Sequence, residues 1–521
     1  MLKFGLKNLR RLESIPPVEL RPITLLVGRN SSGKSTFLRA FPLLRQSIMT
    51  RTSTPLLWYG DLVDFGSFQG SVFNNDLSRE ISFIFQLTDV LIQNRYQYYY
   101  SGARRSTNFK NITFEVDVAQ EQEASRISAI SLVVDDLKVQ FDLRAGSNGQ
   151  LETLAVNGRD VLAYFGSSKL LLSPGSIFPD IIVIRDEQEK LDGHLSQLGM
   201  PEIIQAVADL IAPHLDKRIK KEAALELAMR LLLVEQFEKG ELHRHAERSG
   251  VKTWEKLLKN VASRDTKGLF SDLQLLFFAN QFFLLLREVN SRLRGTISQT
   301  LYIGPARARS ERYYRYQDLS VSEIDPDGKN FAMFLNSLRW DQLESLSAWV
   351  ERLFGYRVSL SKTSGHISIN LKEEKNETNI VDTGYGVSQI LPVLGQMWWA
   401  ANRDRGGRAP EISMLSIEQP ELHLHPAHQS LLADALADEL LQNSSRERAR
   451  LHFLVETHSE TLVNRLGQLI GTGKISADDV QVLIFETSPA NARKTDVRIA
   501  SFGSSGELIN WPYGFFQPAL E

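Results

Sequence analysis

The chain has 521 residues, more than one hydrophobic core usually supports, so roughly two to four structural units are expected, discontinuous ones included. Lys and Arg number 60 against 62 Asp and Glu, a formal net charge of −2, so any contact with nucleic acid must come from a local patch rather than the whole field. Cysteine is absent, which excludes disulfides, thiol catalysis and Cys-type zinc sites and fits a reducing compartment.

Met1 to Asn8 alternates as a strand does and shows no basic segment followed by an apolar one, so no export signal is read and a soluble, cytoplasmic protein is expected. Residues 2–9 and 18–27 read as strands on either side of Pro16-Pro17. The second strand feeds Gly28-Arg29-Asn30-Ser31-Ser32-Gly33-Lys34-Ser35 and Thr36, and helix-forming residues follow. Strand, glycine-bracketed turn and helix start in this order form a phosphate-binding loop. Its backbone N–H groups wrap a polyphosphate at a helix N-terminus, Lys34 reaches the outer phosphates, and the Ser35 hydroxyl ligates Mg²⁺. A nucleoside triphosphate is therefore the expected ligand. The helix runs to about Ile48, with Pro42 kinking it or ending its first segment. In the turn-rich stretch Asp61 to Gly70, Gln69 either reaches a metal ion or is a surface glutamine in a glycine turn.

Ile81 to about Gly158 repeats with a period near two, broken by turns such as Gly146-Ser147-Asn148-Gly149, and reads as an antiparallel β unit. Its segment Arg95 to Arg105, rich in Tyr and Arg, reads as an exposed hairpin, with base stacking as the weaker alternative. From Pro201 to Arg294 the period turns helical, as in Ile203/Ile204, Val207 and Leu210/Ile211. The most apolar run, Leu275 to Leu286, has twelve residues, well short of the roughly 20 that span a bilayer, and needs a partner face in its own core or on another subunit.

Strand character returns at Thr300 to Arg307, ahead of Arg309, Arg312, Tyr313, Tyr314, Arg315 and Tyr316, a mixture suited to phosphate contacts or to packing. Two short strands follow, at 357–361 and 366–371. Asp382 to Pro392 is a glycine loop whose Ser388 opens a helix, a second anion-binding N-terminus that one site in one subunit does not explain. A phosphate loop needs a carboxylate at the end of a neighbouring parallel strand, and Ser413 to Glu418 supplies it. A further strand, Leu451 to Glu456, ends in Thr457-His458-Ser459-Glu460 and places His458 where open α/β sheets keep their ligands. His423, His425 and His428 invite a metal reading, without thiolate companions, and His243-Arg244-His245 reads as solvated surface.

The phosphate loop, Gly384-Tyr385-Gly386-Val387-Ser388-Gln389, Ile417-Glu418-Gln419-Pro420-Glu421-Leu422-His423-Leu424-His425-Pro426 and Glu456-Thr457-His458-Ser459-Glu460 resemble, in this order, the ABC-type ATPase heads of the SMC, recombination-repair and OLD group. Within it the chain most resembles stand-alone bacterial AAA-family members of anti-phage systems, such as PtuA of Septu and ATPases accompanying some retrons. Gly506 to Phe516 resembles the tail of that group, and the helical insertion is not matched. The resemblance implies an α/β fold, an ABC-type head with a mixed sheet, a P-loop core and an antiparallel β subdomain, to which the helical period from Pro201 to Arg294 adds a helical insertion. Head parts are expected over residues 1–160 and 298–521, with a mainly helical, partner-docking insertion over 161–297.

By the same resemblance two heads sandwich two ATP molecules with Mg²⁺. Gly28, Asn30, Ser31, Ser32, Gly33, Lys34, Ser35 and Thr36 hold the nucleotide, and Ser35, Gln69 and Glu418 hold the metal. Gly386, Val387 and Ser388 complete the partner head's site, and His458 senses the nucleotide. The residue after the metal carboxylate, usually a glutamate in ABC heads, is Gln419, whose amide orients water and cannot take its proton. Slow hydrolysis is expected, with Glu421 substituting if the turn brings it round and Glu456 or His458 assisting. The function implied is an ATP-dependent regulator in anti-phage defence, a homodimer or higher even oligomer. It would hold an effector, an HNH-type nuclease or another toxin, with a reverse transcriptase and its RNA/DNA product as a further partner. Direct action on DNA, as in repair ATPases, is the alternative. A self-contained OLD-type nuclease is disfavoured because too little chain follows His458 for its nuclease module. A transporter ATPase is disfavoured because no membrane-partner motif stands out.

Overall fold

The computed structural model describes residues 2–93, 106–185 and 200–512, apart from 216–217, 233, 235–236, 239–241, 243–251, 253–254, 256, 259–267, 319, 374–375, 404–411, 445–449 and 490. The Tyr-rich segment 95–105, the 243–245 cluster and the end of the tail motif, 513–516, lie outside the described residues. The chain begins with strands β1 (Leu2–Leu9), β2 (Leu12–Glu19) and β3 (Ile23–Gly28), helix α1 (Lys34–Met49) and the single turn α2 (Phe68–Ser71). Strands β4 (Ile81–Gln93), β5 (Ser106–Glu121), β6 (Ala124–Val134), β7 (Val139–Ala145), β8 (Leu151–Val156) and β9 (Arg159–Asp160) follow. Then come β10 (Lys169–Leu172), β11 (Ile181–Ile184) and helices α3 (Pro201–Ile211), α4 (Lys221–Leu232) and α5 (Leu269–Ser298). Next are β12 (Leu301–Ile303), β13 (Tyr314–Arg315), α6 (Phe331–Ser337), α7 (Trp340–Phe354), β14 (Arg357–Thr363), β15 (His366–Glu373), β16 (Asn376–Asn379) and α8 (Tyr385–Asn402). The chain closes with β17 (Ile412–Glu418), α9 (Pro426–Ser444), β18 (Arg450–Glu456), α10 (Glu460–Gly471), β19 (Val480–Ser488), β20 (Asn491–Phe502) and β21 (Leu508–Ile509).

Two compact units divide these elements. The first comprises residues 1–5, 52–55 and 80–293. In it β4 to β9 form an antiparallel meander, each strand paired with the next, as the period-two pattern predicts. The alternation sends Phe83, Phe85, Phe114, Val116, Leu132 and Phe141 to the buried face. The hairpin β10–β11 precedes the helices of this unit.

Helix α5 is the element that the sequence reading sized wrongly. It runs 30 residues, not twelve, and by length and composition it is long enough to cross a membrane. Its apolar side is instead spent on the unit's core: Phe282 meets Phe141 with ring centroids 5.2 Å apart, and Phe283 meets Phe165 at 5.8 Å. Two of its buried polar residues bond to backbone inside the protein. Asn290 Nδ2 donates to the Pro179 carbonyl at 2.7 Å, and the Met200 N–H donates to Asn280 Oδ1 at 3.4 Å.

The second unit comprises residues 6–51, 56–79 and 294–521 and carries a seven-stranded sheet in the order β12-β17-β18-β3-β19-β20-β21. The five strands from β12 to β19 run parallel, and β20 and β21 continue antiparallel. β3, β17 and the first six residues of β19 are buried throughout, the run of apolar residues that a parallel sheet covered on both faces demands. The strand expected over 18–27 is broken between Glu19 and Ile23, and Pro16-Pro17 lie within β2 rather than between strands. β2 is the outermost strand of its sheet, so missing N–H groups cost no interior ladder bond. Helix α1 continues through Pro42 to Met49, so the proline does not end it.

Phe282→Ala is expected to cost about 3–5 kcal/mol in chemical denaturation, the loss for a large buried aromatic. A cost below ~1 kcal/mol would show that α5 does not use this face in the core.

Candidate functional site

The site is built on the carboxyl ends of β3, β18 and β17. β3 leaves the sheet at Gly28, whose φ is +152° and whose added Cβ would lie 2.4 Å from the Phe485 carbonyl oxygen. Gly33, at φ +98°, would place a Cβ 2.7 Å from Leu12 Cδ2, so both bracketing glycines are required by space and by backbone. Between them Ser31 sits at φ +60°. The loop is held from outside by Thr495 Oγ1, donating to the Ser32 carbonyl at 2.7 Å, and by Arg11 Nη1, donating to the Ser31 carbonyl at 2.9 Å. Helix α1 has no side-chain cap and no acidic residue in its first turn, leaving its N–H groups and positive end open to an anion. The Ser32 hydroxyl is buried with no hydrogen-bond partner, an orphaned polar atom inside the cradle. These residues fit a polyphosphate.

Lys34 is buried and folds back on its own loop, donating to the Gly28 and Arg29 carbonyls at 3.0 and 2.9 Å, with Glu456 Oε1 3.8 Å away. Burial lowers the Lys34 pKa, and Glu456 works against that shift. The acidic strand expected beside the phosphate-loop strand is one place removed. β18 lies between β17 and β3, in register Glu418 with Glu456 and Glu456 with Leu26. Two carboxylates thus stand side by side. Glu418 is gripped by Arg39, Nε to Oε1 at 2.6 Å and Nη2 to Oε2 at 2.7 Å, and accepts the Tyr302 hydroxyl at 2.7 Å. That grip raises the Arg39 pKa. Glu456, 2% exposed, accepts a hydrogen bond from the Ser35 hydroxyl, and burial raises its pKa.

After Glu418 the chain turns sharply. Gln419 takes φ +43°, its N–H donates to the Glu456 carbonyl at 2.8 Å, and Arg307 Nη2 donates to the carbonyls of Glu418 and Gln419 at 3.0 and 3.3 Å. The turn does bring Glu421 round: its Oε1 accepts the His458 backbone N–H at 2.7 Å. Burial is the largest influence on Arg307, pushing its pKa down to about 10, and on Glu421, pushing its pKa up. Burial, with Lys34 nearby, lowers the His458 pKa. Phosphate loop, Glu418, Gln419, Glu421, Glu456 and His458 therefore meet in one place.

Gly386 and Ser388 do not join that cluster by hydrogen bonds. Ser388 Oγ donates to the Tyr385 carbonyl at 2.8 Å within its own helix, and a Cβ on Gly386 would lie 2.8 Å from the His423 carbonyl oxygen. Gln69 is exposed on α2, whose cap is Ser67, and the stretch is tied to β1–β2 by the Arg10 N–H bond to Ser71 and the Arg10 guanidinium over Phe65. His423 packs on Tyr385, His428 on Phe354, and His425 Nδ1 accepts the Ala427 N–H, so the three histidines diverge. Among the described residues no group of three or more metal-ligating side chains forms. Arg39 and Tyr302 were missed in the sequence. Nothing in their spacing marks them, because Arg39 meets Glu418 across 379 residues of chain.

Residues 318–463, which include Ser388, Glu418, Gln419, Glu421 and His458, match the model of the AAA ATPase domain family AAA_15. The phosphate loop, the mixed sheet and this domain define an ATPase of α/β architecture. Among solved structures, the chain is similar to an SMC head domain with an extended coiled coil from Pyrococcus furiosus, bound to the C-terminal domain of ScpA: 11% identity, TM-score 0.33, 96% of this chain and 97% of that chain covered. It is also similar to the SMC head domain from Thermotoga maritima, at 9% identity and TM-score 0.33, with 95% and 97% covered. No curated protein matches the chain.

Burial holds the Glu421 carboxyl above its ordinary 4.5. As pH rises the unfolded chain releases this proton first, so above the ordinary range the folded state binds more protons and loses stability until its own pKa is passed. Glu421→Gln removes that loss. The variant is expected to melt above wild type at pH 7, with the gain fading as pH falls into the ordinary carboxylate range. Calorimetry across that range checks it, and a variant melting at or below wild type at pH 7 would contradict the assignment.

Proposed function

We propose that this protein is an ABC-type ATPase head that dimerises around ATP, hydrolyses it slowly and regulates or scaffolds an effector protein, a nuclease or toxin, in anti-phage defence. The observation that carries dimerisation is a second open helix N-terminus. α8 starts at Gly384 with φ +97°, no side-chain cap and no acidic residue in its first turn, and Val381, Tyr385 and Leu422 expose apolar surface around it. An anion-ready end in an apolar rim, hydrogen-bonded only to its own helix at Ser388, suits a phosphate brought by a second copy.

Within one head, Lys34 exchanges the carbonyls of Gly28 and Arg29 for the outer phosphates of ATP, and loop N–H groups take the remaining oxygens. Mg²⁺ supplies charge neutralisation on those phosphates when bound. Ser35 would hold it, and Glu418 and Gln69 would support its shell. Gln419, fixed by Arg307 and by the Glu456 carbonyl, orients the attacking water. Glu421 is the chain's candidate to receive the proton, because one carboxylate oxygen is anchored by His458 N–H and Oε2 has no hydrogen-bond partner. A base set behind an amide gives slow turnover, which suits a switch whose bound state must persist.

Purified protein is expected to double its native mass with ATP and Mg²⁺ and to release phosphate slowly, and Lys34→Ala is expected to abolish both. Gln419→Glu is expected to raise turnover by about 10²-fold, the worth of a positioned base. Co-expression with neighbouring genes is expected to yield a stable complex with an effector. Rapid hydrolysis by wild type alone and only on DNA would replace the regulator with a DNA-acting ATPase.

A further inference from the structure

The two carboxylates at the strand ends are in opposite states. Both Glu418 oxygens are taken, by the two arms of Arg39 and by the Tyr302 hydroxyl. Glu456 stands on the strand next to the phosphate-loop strand, shares a hydrogen bond with Ser35, and faces Lys34 at 3.8 Å. Its Oε2 is buried with no hydrogen-bond partner. We propose that Glu456 is the direct carboxylate ligand of the divalent cation that accompanies ATP, beside the Ser35 hydroxyl, and that Glu418 acts from behind, its charge already met by Arg39.

The charge balance argues for this assignment, which rests on the ATP reading above. In the structure Lys34 is the cation nearest Glu456, and Arg39 is committed to Glu418. When phosphates draw Lys34 away, Glu456 is left buried, negative and beside a polyanion. Like charges at a few ångströms in a low-dielectric site repel strongly, and an oxygen-seeking divalent ion between them reverses the sign. The Ser35 hydroxyl already lies at Glu456, so the two oxygens need no rearrangement of the sheet to share one ion. Arg39 cannot serve in its place without releasing a bidentate pair.

The test compares wild type, Glu456→Gln, Glu456→Asp and Glu418→Gln for affinity towards a non-hydrolysable ATP analogue, by calorimetry in EDTA and in Mg²⁺, with Mn²⁺ bound per site counted by electron paramagnetic resonance. Melting curves confirm that each variant folds. Wild type is expected to bind the analogue at least about tenfold tighter with Mg²⁺. Glu456→Gln is expected to bind it as tightly as wild type or tighter in EDTA, to gain less than twofold from Mg²⁺, and to lose the bound Mn²⁺. Glu456→Asp, which keeps the carboxylate, is expected to regain part of the Mg²⁺ response, and it decides the matter should Glu456→Gln fail to fold. Glu418→Gln is expected to keep its Mn²⁺. Full Mg²⁺ stimulation in Glu456→Gln, or loss of Mn²⁺ in Glu418→Gln alone, overturns the assignment while leaving ATP binding intact. Wild type that binds the analogue in neither buffer overturns the ATP reading itself, and this proposal with it.

Discussion

The ladder of β18, parallel to β17 on one side and to β3 on the other, is the constraint on which the site depends. Hydrogen-bonded strands lie about 4.8 Å apart, so the register Glu418 with Glu456 and Glu456 with Leu26 fixes how far each carboxylate stands from the phosphate loop. A slip of one residue in β18 would turn Glu456 to the other face of the sheet and take its carboxylate from Lys34 and Ser35. Because both faces of these strands are buried, such a slip is strongly opposed. The precision of the site is thus a property of the core.

Around that frame each buried carboxylate has a partner, although Arg307 bonds only to backbone carbonyls and leaves two guanidinium nitrogens without one. Lys34, Arg39 and Arg307 stand among Glu418, Glu421 and Glu456, and each carboxylate has at least one cation or N–H donor within reach. Buried ions are tolerated only when paired, and pairing them here holds the site assembled without a ligand. The pairing is unequal, however. The Arg39 grip on Glu418 is bidentate and short, and the contact of Lys34 with Glu456 is long and monodentate. The looser of the two pairs is the one a phosphate ligand would disturb.

Backbone strain is also present at the site. Ser31, Gln419 and His423 all take left-handed φ values without being glycine. Each such residue costs of order 1–3 kcal/mol and persists only where its surroundings over-determine it. For Gln419 those surroundings are visible: its N–H is bonded to the Glu456 carbonyl and its own carbonyl to Arg307. The strained turn carries Glu421 back under His458, which a relaxed continuation of β17 would not do.

The phosphate loop was legible from the residues alone, because its chemistry is local: two glycines with space for no side chain, a lysine, a hydroxyl and a helix start within a few positions. The meander from Ile81 to Asp160 was legible for the same reason, since period-two burial is written in each strand separately. Helix α5 was half legible. Its apolar run was plain, but the helix extends beyond it through residues such as Asn290, whose partner, the Pro179 carbonyl, lies far away in sequence. The place of β18 between β17 and β3, the Arg39 and Tyr302 clasp on Glu418, and the free oxygen of Glu456 were decided by tertiary structure alone. Side-chain type and spacing determine what a short segment can do by itself, but which carboxylate is neutralised and which is left open depends on residues hundreds of positions apart meeting in one core.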